Sequence, residues 1–193
     1  IDLHSTKLLK KYESINSDVH GLESSLLFRL FLDSRGNMWF GDPRDNDLGL
    51  FKYIENENRF KHYHYLAADT LSLVNNEVSF MAEDDMGRMW VGTDGGISLY
   101  DHEKDIFYRN NDDLNLPSVH AAAKGSDGKM WFWAYSGGGL SLVGPDINSI
   151  KMFGEEEGLL HNDMAVGAQL SKDDRGQLWL PNQRGVSVFD TNS

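Results

Sequence analysis

The sequence has no cysteine, no long apolar run and few basic residues. The absence of cysteine excludes disulfide bonds, thiolate metal sites and a cysteine nucleophile. A membrane helix needs about 18 consecutive apolar residues, and no run in this sequence approaches that length. The first residues, Ile1 to His4, lack the basic flank and apolar stretch of a signal peptide. Because the chain opens in mid-pattern and without methionine, we interpret it as a mature or excised piece of a longer protein.

The low number of basic residues bears on the classes of partner. Against 30 Asp and Glu the chain has 18 Lys and Arg, and its formal net charge is −12. This balance disfavours phosphate backbones and anionic membrane surfaces as partners. We therefore expect no nucleic-acid binding and no direct membrane insertion by this segment. The 193 residues, 40% of them hydrophobic, are enough for one domain with its own core.

Helical periodicity is also scarce, because no stretch carries a convincing apolar stripe at i, i+3, i+4 and i+7 between capping signals. Instead, short runs of β-branched and aromatic residues are separated by Gly, Asn and Asp. Four of these runs contain a tryptophan with a glycine three residues before it: Trp39, Trp90, Trp131 and Trp179. Units of about 40 to 50 residues built from short strands are typical of propeller blades. We expect the repeated tryptophans to pack between blades rather than to bind ligand.

The repeat predicts an all-β fold of β-propeller blades, with four four-stranded antiparallel sheets in a single propeller region over residues 1–193. Residues 1–25 would hold the outer strand of a preceding blade and its connection. The blades would occupy residues 26–65, 77–110, 118–154 and 164–193, the last without its outer strand. The N-terminal segment Leu8 to Tyr12 would supply that edge if four blades close alone, but the favoured interpretation is that the blades are part of a larger wheel.

A turn precedes each tryptophan strand. An aspartate at the first turn position and a glycine at the fourth suit a type I turn, and Asp33, Asp84 and Asp173 fit this pattern. Gly125 replaces the aspartate in the third unit. We expect that turn to lack its side-chain cap.

The segment Asp84 to Thr93, followed by Gly95 to Asp101, resembles the two-component regulator propeller repeat. The resemblance extends over four units and is weakest at 126–143. It implies the periplasmic sensor region of a bacterial hybrid two-component histidine kinase, where such blades form seven-bladed wheels and often sense oligosaccharides. The parent protein would then be an inner-membrane receptor with a kinase that this chain does not contain.

Binding residues are predicted where the units depart from one another, in the expanded loops Asp42 to Asp47 and Trp133 to Gly137 and in the connections that share their face. Trp133 and Tyr135 could stack on a sugar ring, and arginines could bind carboxylate or sulfate. The predicted ligand-binding residues are Arg44, His120, Trp133, Tyr135, His161 and Arg184. The alternative is that these are ordinary loop residues and that Trp133 fills the gap to the neighbouring blade.

No metal, cofactor or catalytic site is predicted. The acidic residues Asp42, Asp45 and Asp47 do not have the spacing of a calcium loop and favour a solvated turn. His62 and His64 alternate on a strand, but no third ligand can be placed beside them. The Gly-x-Ser-x-Gly, Gly-Lys-Ser/Thr and His-Glu-x-x-His motifs do not occur.

We therefore interpret the chain as a non-catalytic ligand-sensing module of a two-component signalling receptor, which recognises a carbohydrate or oligosaccharide through loops on one propeller face. One alternative is a structural or protein-interaction fragment without a small ligand, in which self-association into a dimer would be central. A less favoured alternative is a propeller lyase or glycosidase.

Overall fold

The computed structural model describes residues 27–44, 47–109, 118–135, 138–144, 147, 149–163 and 168–191. The predicted first unit, residues 1–25, lies outside these residues. The described helices are two single 3-10 turns, Glu55–Glu57 and Glu155–Glu157, and neither is long or apolar enough to cross a membrane.

The described strands form four antiparallel sheets, each with its strands in chain order. The first sheet contains β1 (Arg29–Leu32), β2 (Met38–Gly41), β3 (Leu50–Ile54) and β4 (Arg59–Tyr63). The second contains β5 (Val78–Glu83), β6 (Met89–Thr93), β7 (Gly96–Asp101) and β8 (Ile106–Arg109). The third contains β9 (Val119–Lys124), β10 (Met130–Ala134), β11 (Gly139–Val143) and β12 (Ile150–Phe153). The described part of the fourth contains β13 (Ser171–Lys172), β14 (Gln177–Asn182) and β15 (Gly185–Asp190).

The first strands of the four sheets lie side by side. Strand β1 contacts β5, β5 contacts β9, and β9 contacts β13, whereas the later strands lie progressively farther out. This is the arrangement of propeller blades, whose sheets pack face to face around the line of their first strands. The all-β propeller prediction is confirmed.

The space between consecutive sheets is filled from the tryptophan strand. Trp39 packs in a cluster with Val91 and Tyr100 of the second sheet, and the Trp90 ring lies 5.4 Å from the Phe132 ring of the third. Trp131 lies 5.5 Å from Phe189 of the fourth sheet by ring centroids. These three tryptophans are at most 4% exposed, as predicted. Trp179 differs and is 40% exposed.

The turn before each tryptophan strand is organised by its aspartate. Asp84 accepts hydrogen bonds from the backbone N–H of Met86 and Arg88 and, at 2.9 Å, from the indole Nε1 of Trp90. Asp33 accepts from Trp39 at 2.9 Å, and Asp173 from Trp179 at 3.2 Å. In these three turns the carboxylate thereby joins the turn to the tryptophan six residues later.

The third turn, where Gly125 replaces the aspartate, was predicted to lack a side-chain cap, and this prediction is wrong. The Trp131 Nε1 is buried and has no hydrogen-bond partner in the described structure. The turn still has a side-chain cap, because Asp127 accepts from the backbone N–H of Lys129 at 3.0 Å. The cap has moved by two residues, and only its link to the tryptophan is lost.

Candidate ligand-binding site

One end of the sheets collects the segments that differ between units. Thr93 is paired both with Val78, where β5 begins, and with Gly96, where β7 begins. Ala134 is paired in the same way with Val119 and Gly139. The turns between second and third strands therefore lie beside the connections that enter the first strands. We call this end the loop end, and the opposite end, with the aspartate turns, the turn end.

Four polar residues meet at the loop end, between the second and third sheets. Ser118 directly precedes β9 and His120 lies within it, Asp94 is in the turn between β6 and β7, and Tyr135 follows β10. The Tyr135 backbone N–H donates to the Ser118 carbonyl at 2.6 Å, which fixes the start of β9 against the end of β10. We call Asp94, Ser118, His120 and Tyr135 the His120 cluster.

Side-chain contacts join the His120 cluster across the two sheets. The Ser118 hydroxyl donates to the Asp94 carboxylate and also lies in hydrogen-bond contact with His120 Nε2. The Nε2 atom is 3.5 Å from Asp94 Oδ1, and the His120 and Tyr135 ring centroids are 5.6 Å apart. The histidine and aspartate side chains are both partly exposed, so a ligand can reach a carboxylate, an imidazole and a phenol ring together.

The proton arrangement in the His120 cluster argues against a hydrolase triad. A hydroxyl has one proton, and here it is donated to Asp94. His120 must then donate its own Nε2–H to the Ser118 oxygen, so Nε2 cannot act as a base toward that hydroxyl. In a catalytic triad, the carboxylate would instead accept a hydrogen bond from the other ring nitrogen of the histidine, Nδ1. This geometry suits recognition of hydroxyl and amide groups.

Trp133, predicted to stack on a sugar ring, lies elsewhere. It is fully buried in β10 and packs in a cluster with Leu140, Leu170 and Leu180, so its ring fills the space between the third and fourth sheets. A stacking platform needs an exposed face. The predicted stacking role of Trp133 is therefore corrected to a packing role, which was the alternative interpretation.

The Arg44 side chain forms contacts that stabilise its own loop. Its Nε lies 3.2 Å from Oδ1 of the buried Asp42, its second terminal nitrogen 3.4 Å from Oδ2, and its guanidinium 3.3 Å above the Phe28 ring. About half of the side chain is exposed. Anion binding by Arg44 remains a prediction, and any anion would compete with Asp42 for these two nitrogen atoms.

His161 and Arg184 lie at the loop end beside the fourth sheet, His161 in the connection from the third sheet and Arg184 in the turn between β14 and β15. The Nδ1 of His161 accepts the backbone N–H of Asp163 at 2.9 Å, and the Asp163 carbonyl accepts the Gln183 N–H at 3.3 Å. Arg184 is exposed in the turn between β14 and β15, with its backbone N–H donated to Asn182 at 3.0 Å. The structure therefore brings His120 and Tyr135 into direct proximity, and places His161 and Arg184 farther along the loop end, beside the fourth sheet.

The structure describes some of the remaining polar side chains in and near the expanded first loop. Asp42 is occupied by Arg44, and Asp45 lies outside the described residues. The His62 and His64 rings are 3.6 Å apart, and His62 Nε2 contacts the Leu48 carbonyl. Among the described residues, no group of three His, Asp or Glu side chains is arranged to hold a metal ion.

Asp94 belongs to the candidate site but was not predicted from the sequence. It stands in the Gly-Thr-Asp-Gly-Gly turn of the best repeat copy, where it is indistinguishable from framework. Only the packing of the third sheet against this turn brings Ser118 and His120 to it. A faint signal was available in the unusual pair of polar residues, Ser118 and His120, around the start of β9.

Comparison with protein families gives one match, within the second repeat unit. Residues 72–95, which run from the connection before β5 into the turn after β6, match the model of the two component regulator propeller. This segment of the chain is similar to the two-component regulator propeller repeat. A search of curated protein sequences gives no match.

Solved structures show the same fold at low sequence identity. The extracellular domain assigned to a hybrid two-component system of Bacteroides thetaiotaomicron is 20% identical, with a TM-score of 0.63 over 88% of this chain and 29% of that one. A second extracellular domain from that organism, assigned to a one-component system, is 17% identical, with a TM-score of 0.67 over 89% and 22%. Virginiamycin B lyase from Staphylococcus aureus is 14% identical, with a TM-score of 0.60 over 85% and 55%. This chain thus spans less than a third of the first two chains.

Proposed function

We propose that this chain is a non-catalytic sensing module of a two-component signalling receptor, placed on the extracytoplasmic side of the membrane. The observation that carries the proposal is the match of residues 72–95 to the two-component regulator propeller repeat. The extracellular domains with the same fold support the assignment. In a Gram-negative cell the compartment would be the periplasm and the receptor a histidine kinase of the inner membrane.

The ligand we propose is a carbohydrate or oligosaccharide bound at the loop end, with the His120 cluster as its first contact. A sugar offers adjacent hydroxyls that both donate and accept. The Asp94 carboxylate can accept from one of them, and another can replace Ser118 as the acceptor of the His120 Nε2–H, which lies 3.5 Å from Asp94. The Tyr135 ring beside them offers an apolar surface with a polar tip. The net charge of −12 favours a neutral sugar over a highly anionic one.

Replacing His120 with alanine is expected to weaken oligosaccharide binding about 10-fold or more. The reason is that a hydrogen bond donated by this side chain in a partly buried site contributes about 1.5 kcal/mol to the binding free energy. Isothermal titration calorimetry against a panel of neutral and acidic oligosaccharides gives the measurement. Tyr135→Ala should weaken the same ligand. Folding should be retained, since the His120 side chain is partly exposed.

The matched control is Lys129→Ala, at the turn end, where the lysine forms a surface pair with Asp127. This variant should bind as the unchanged chain does. Binding that is lost in Lys129→Ala as well, or kept in both His120→Ala and Tyr135→Ala, would reject the assignment of the site. If no oligosaccharide of the panel binds, the scaffold alternative is favoured. If product is released from a polysaccharide, an enzyme is favoured.

A further inference from the structure

The space between the first and second sheets, which we call the first gap, contains a lysine where the other sheets have an aliphatic residue. In every sheet the repeated tryptophan is paired with one residue of the third strand, and paired residues share a face of the sheet. In the first sheet Trp39 is paired with Lys52. In the other sheets the partner is aliphatic: Leu99, Leu142 and Val188. An ammonium group at such a position is costly unless another group pairs with it.

The Lys52 ammonium rests on aromatic rings. Its Nζ lies 5.0 Å from the centre of the Trp39 ring and 5.7 Å from that of Tyr100, and both rings are buried. Among the described residues, no oxygen accepts a hydrogen bond from Lys52. The nearby Asp105 carboxylate is already engaged, since it accepts from Tyr100 at 2.5 Å, from Tyr63 at 2.6 Å and from Lys61. The three N–H donors of Lys52 therefore face the first gap without an acceptor.

A second donor lies against the same Tyr100 ring. His102 follows β7, and its ring centroid is 4.8 Å from that of Tyr100. In the part of the chain that the structure describes, its Nε2 is buried and has no hydrogen-bond partner. Burial and the positive charge of Arg35 hold the pKa of His102 below its usual value. Burial also lowers the pKa of Lys52, although the charges of two nearby aspartates act in the opposite direction. An anion between Lys52 and His102 would favour the protonated form of both.

We propose that the first gap binds a carboxylate at the turn end, with Lys52 Nζ and His102 Nε2 as donors to its oxygens. Such charge-assisted hydrogen bonds are about twice as strong as neutral ones. A bound carboxylate would join the two sheets, because Lys52 belongs to the first and His102 to the second. The negative charges of Asp33 and Asp105, which both act on Lys52, oppose anions of higher charge. The ligand is therefore a monovalent carboxylate, of a free organic acid or of an acidic sugar.

The experiment is a heteronuclear NMR titration of the 193-residue chain with sodium acetate and, separately, with sodium glucuronate, at constant pH and ionic strength. Both should shift the indole N–H signal of Trp39 in a saturable way, because that ring lies beside Lys52. The indole of Trp90, in the next gap, is the internal control and should not move. Glucose, the neutral counterpart of glucuronate, should move neither signal. Equal affinities for the two acids would assign the site to free carboxylates, and tighter binding of glucuronate would assign it to an acidic sugar.

Substitutions make the test specific for the two donors. Lys52→Leu, which installs the residue found in the second sheet, and His102→Ala should each weaken acetate binding at least 10-fold. Lys104→Met is the matched control, since this lysine of the same turn is exposed and paired with Asp101, and acetate should bind to it as to the unchanged chain. Circular dichroism confirms that the variants are folded, and Lys52→Met replaces Lys52→Leu if that variant is not.

Three results would overturn the carboxylate site. The first is a Trp39 signal that neither acid shifts in a saturable way. The second is a shift that persists in Lys52→Leu and His102→Ala, or that is lost in Lys104→Met. The third is a shift with glucose equal to that with glucuronate. Binding in the first gap is independent of the His120 cluster, which lies at the loop end.

Discussion

Replacing Asp84 with alanine is expected to destabilise the protein by about 3 kcal/mol. Asp84 is buried, and its carboxylate accepts from Trp90 Nε1, from two backbone N–H groups and from the guanidinium of Arg88, which also lies 2.7 Å away as an ion pair. Removing it leaves a buried indole N–H without a partner and a half-buried arginine without its counter-charge. Urea unfolding followed by circular dichroism gives the free energy of unfolding.

Asp173→Ala is the matched control for this prediction. Asp173 has the same position in its turn and accepts from Trp179 and Arg175, but both the turn and the tryptophan are exposed. Water can replace the lost acceptor there, so the loss should be clearly smaller than for Asp84. Equal losses at the two positions would mean that the turn, and not the buried link to the tryptophan, carries the energy.

The pH dependence of stability offers a second readout of Asp84. Burial acts to raise the pKa of this carboxyl, but the hydrogen bonds from Trp90 and Arg88 and the charge of Arg88 outweigh burial, and the net pKa lies below its usual value. A lowered pKa in the folded state contributes stability that is present above about pH 4 and is lost as the pH falls through the folded pKa. In Asp84→Asn, the loss of stability should therefore be largest near pH 7 and should shrink at pH 3. A constant difference across this range would exclude the ionised carboxylate as the cause.

Trp90→Ala is expected to cost about 4 kcal/mol, a large part of the 5–15 kcal/mol that stabilises a typical domain. Its ring is buried between the second and third sheets, against Phe132 and beside Val119 and Ile97. Truncation to alanine opens a cavity in this gap and removes the donor to Asp84. Thermal and urea unfolding should show the chain close to the limit of folding at 37 °C.

Met86→Ala, in the same repeat unit but largely exposed, is the control for Trp90 and should change stability by no more than about 0.5 kcal/mol. The double variant Asp84→Ala with Trp90→Ala should lose less than the sum of the single losses, because both remove the same hydrogen bond. Strict additivity would show that the indole–carboxylate bond contributes nothing.

Some of these structural features can be predicted from the sequence and others cannot. The difference is whether the residues that determine a feature are near to one another or far apart in sequence. Trp39, Trp90 and Trp131 were predictable as core because a large aromatic at one register of every unit satisfies the same inter-sheet gap. Trp133 stands outside this register and was predicted to bind ligand, with packing against the neighbouring blade as the alternative. Its burial depends on Leu170 and Leu180 of the fourth sheet, which are far from it in sequence.

The candidate site shows the same limit. The loop end was predictable, since strand order alone places the second-to-third-strand turns beside the entries to the first strands. The side chains that form the candidate site at this end were not predictable. Whether Arg44 is available depends on Asp42 and Phe28, and whether Asp94 is framework or site depends on Ser118 and His120 of the next sheet.

By itself, the sequence determined the repeat, the strands and the link between each turn aspartate and its glycine, because these features depend on alternation and turn chemistry within a few residues. The tertiary structure decided which tryptophan is covered and which polar residues meet. Trp90 and Trp179 stand in the same local pattern, yet one is buried and the other is 40% exposed. The physical reason is that burial belongs to a pair of sheets, and a repeat unit contains only one of them.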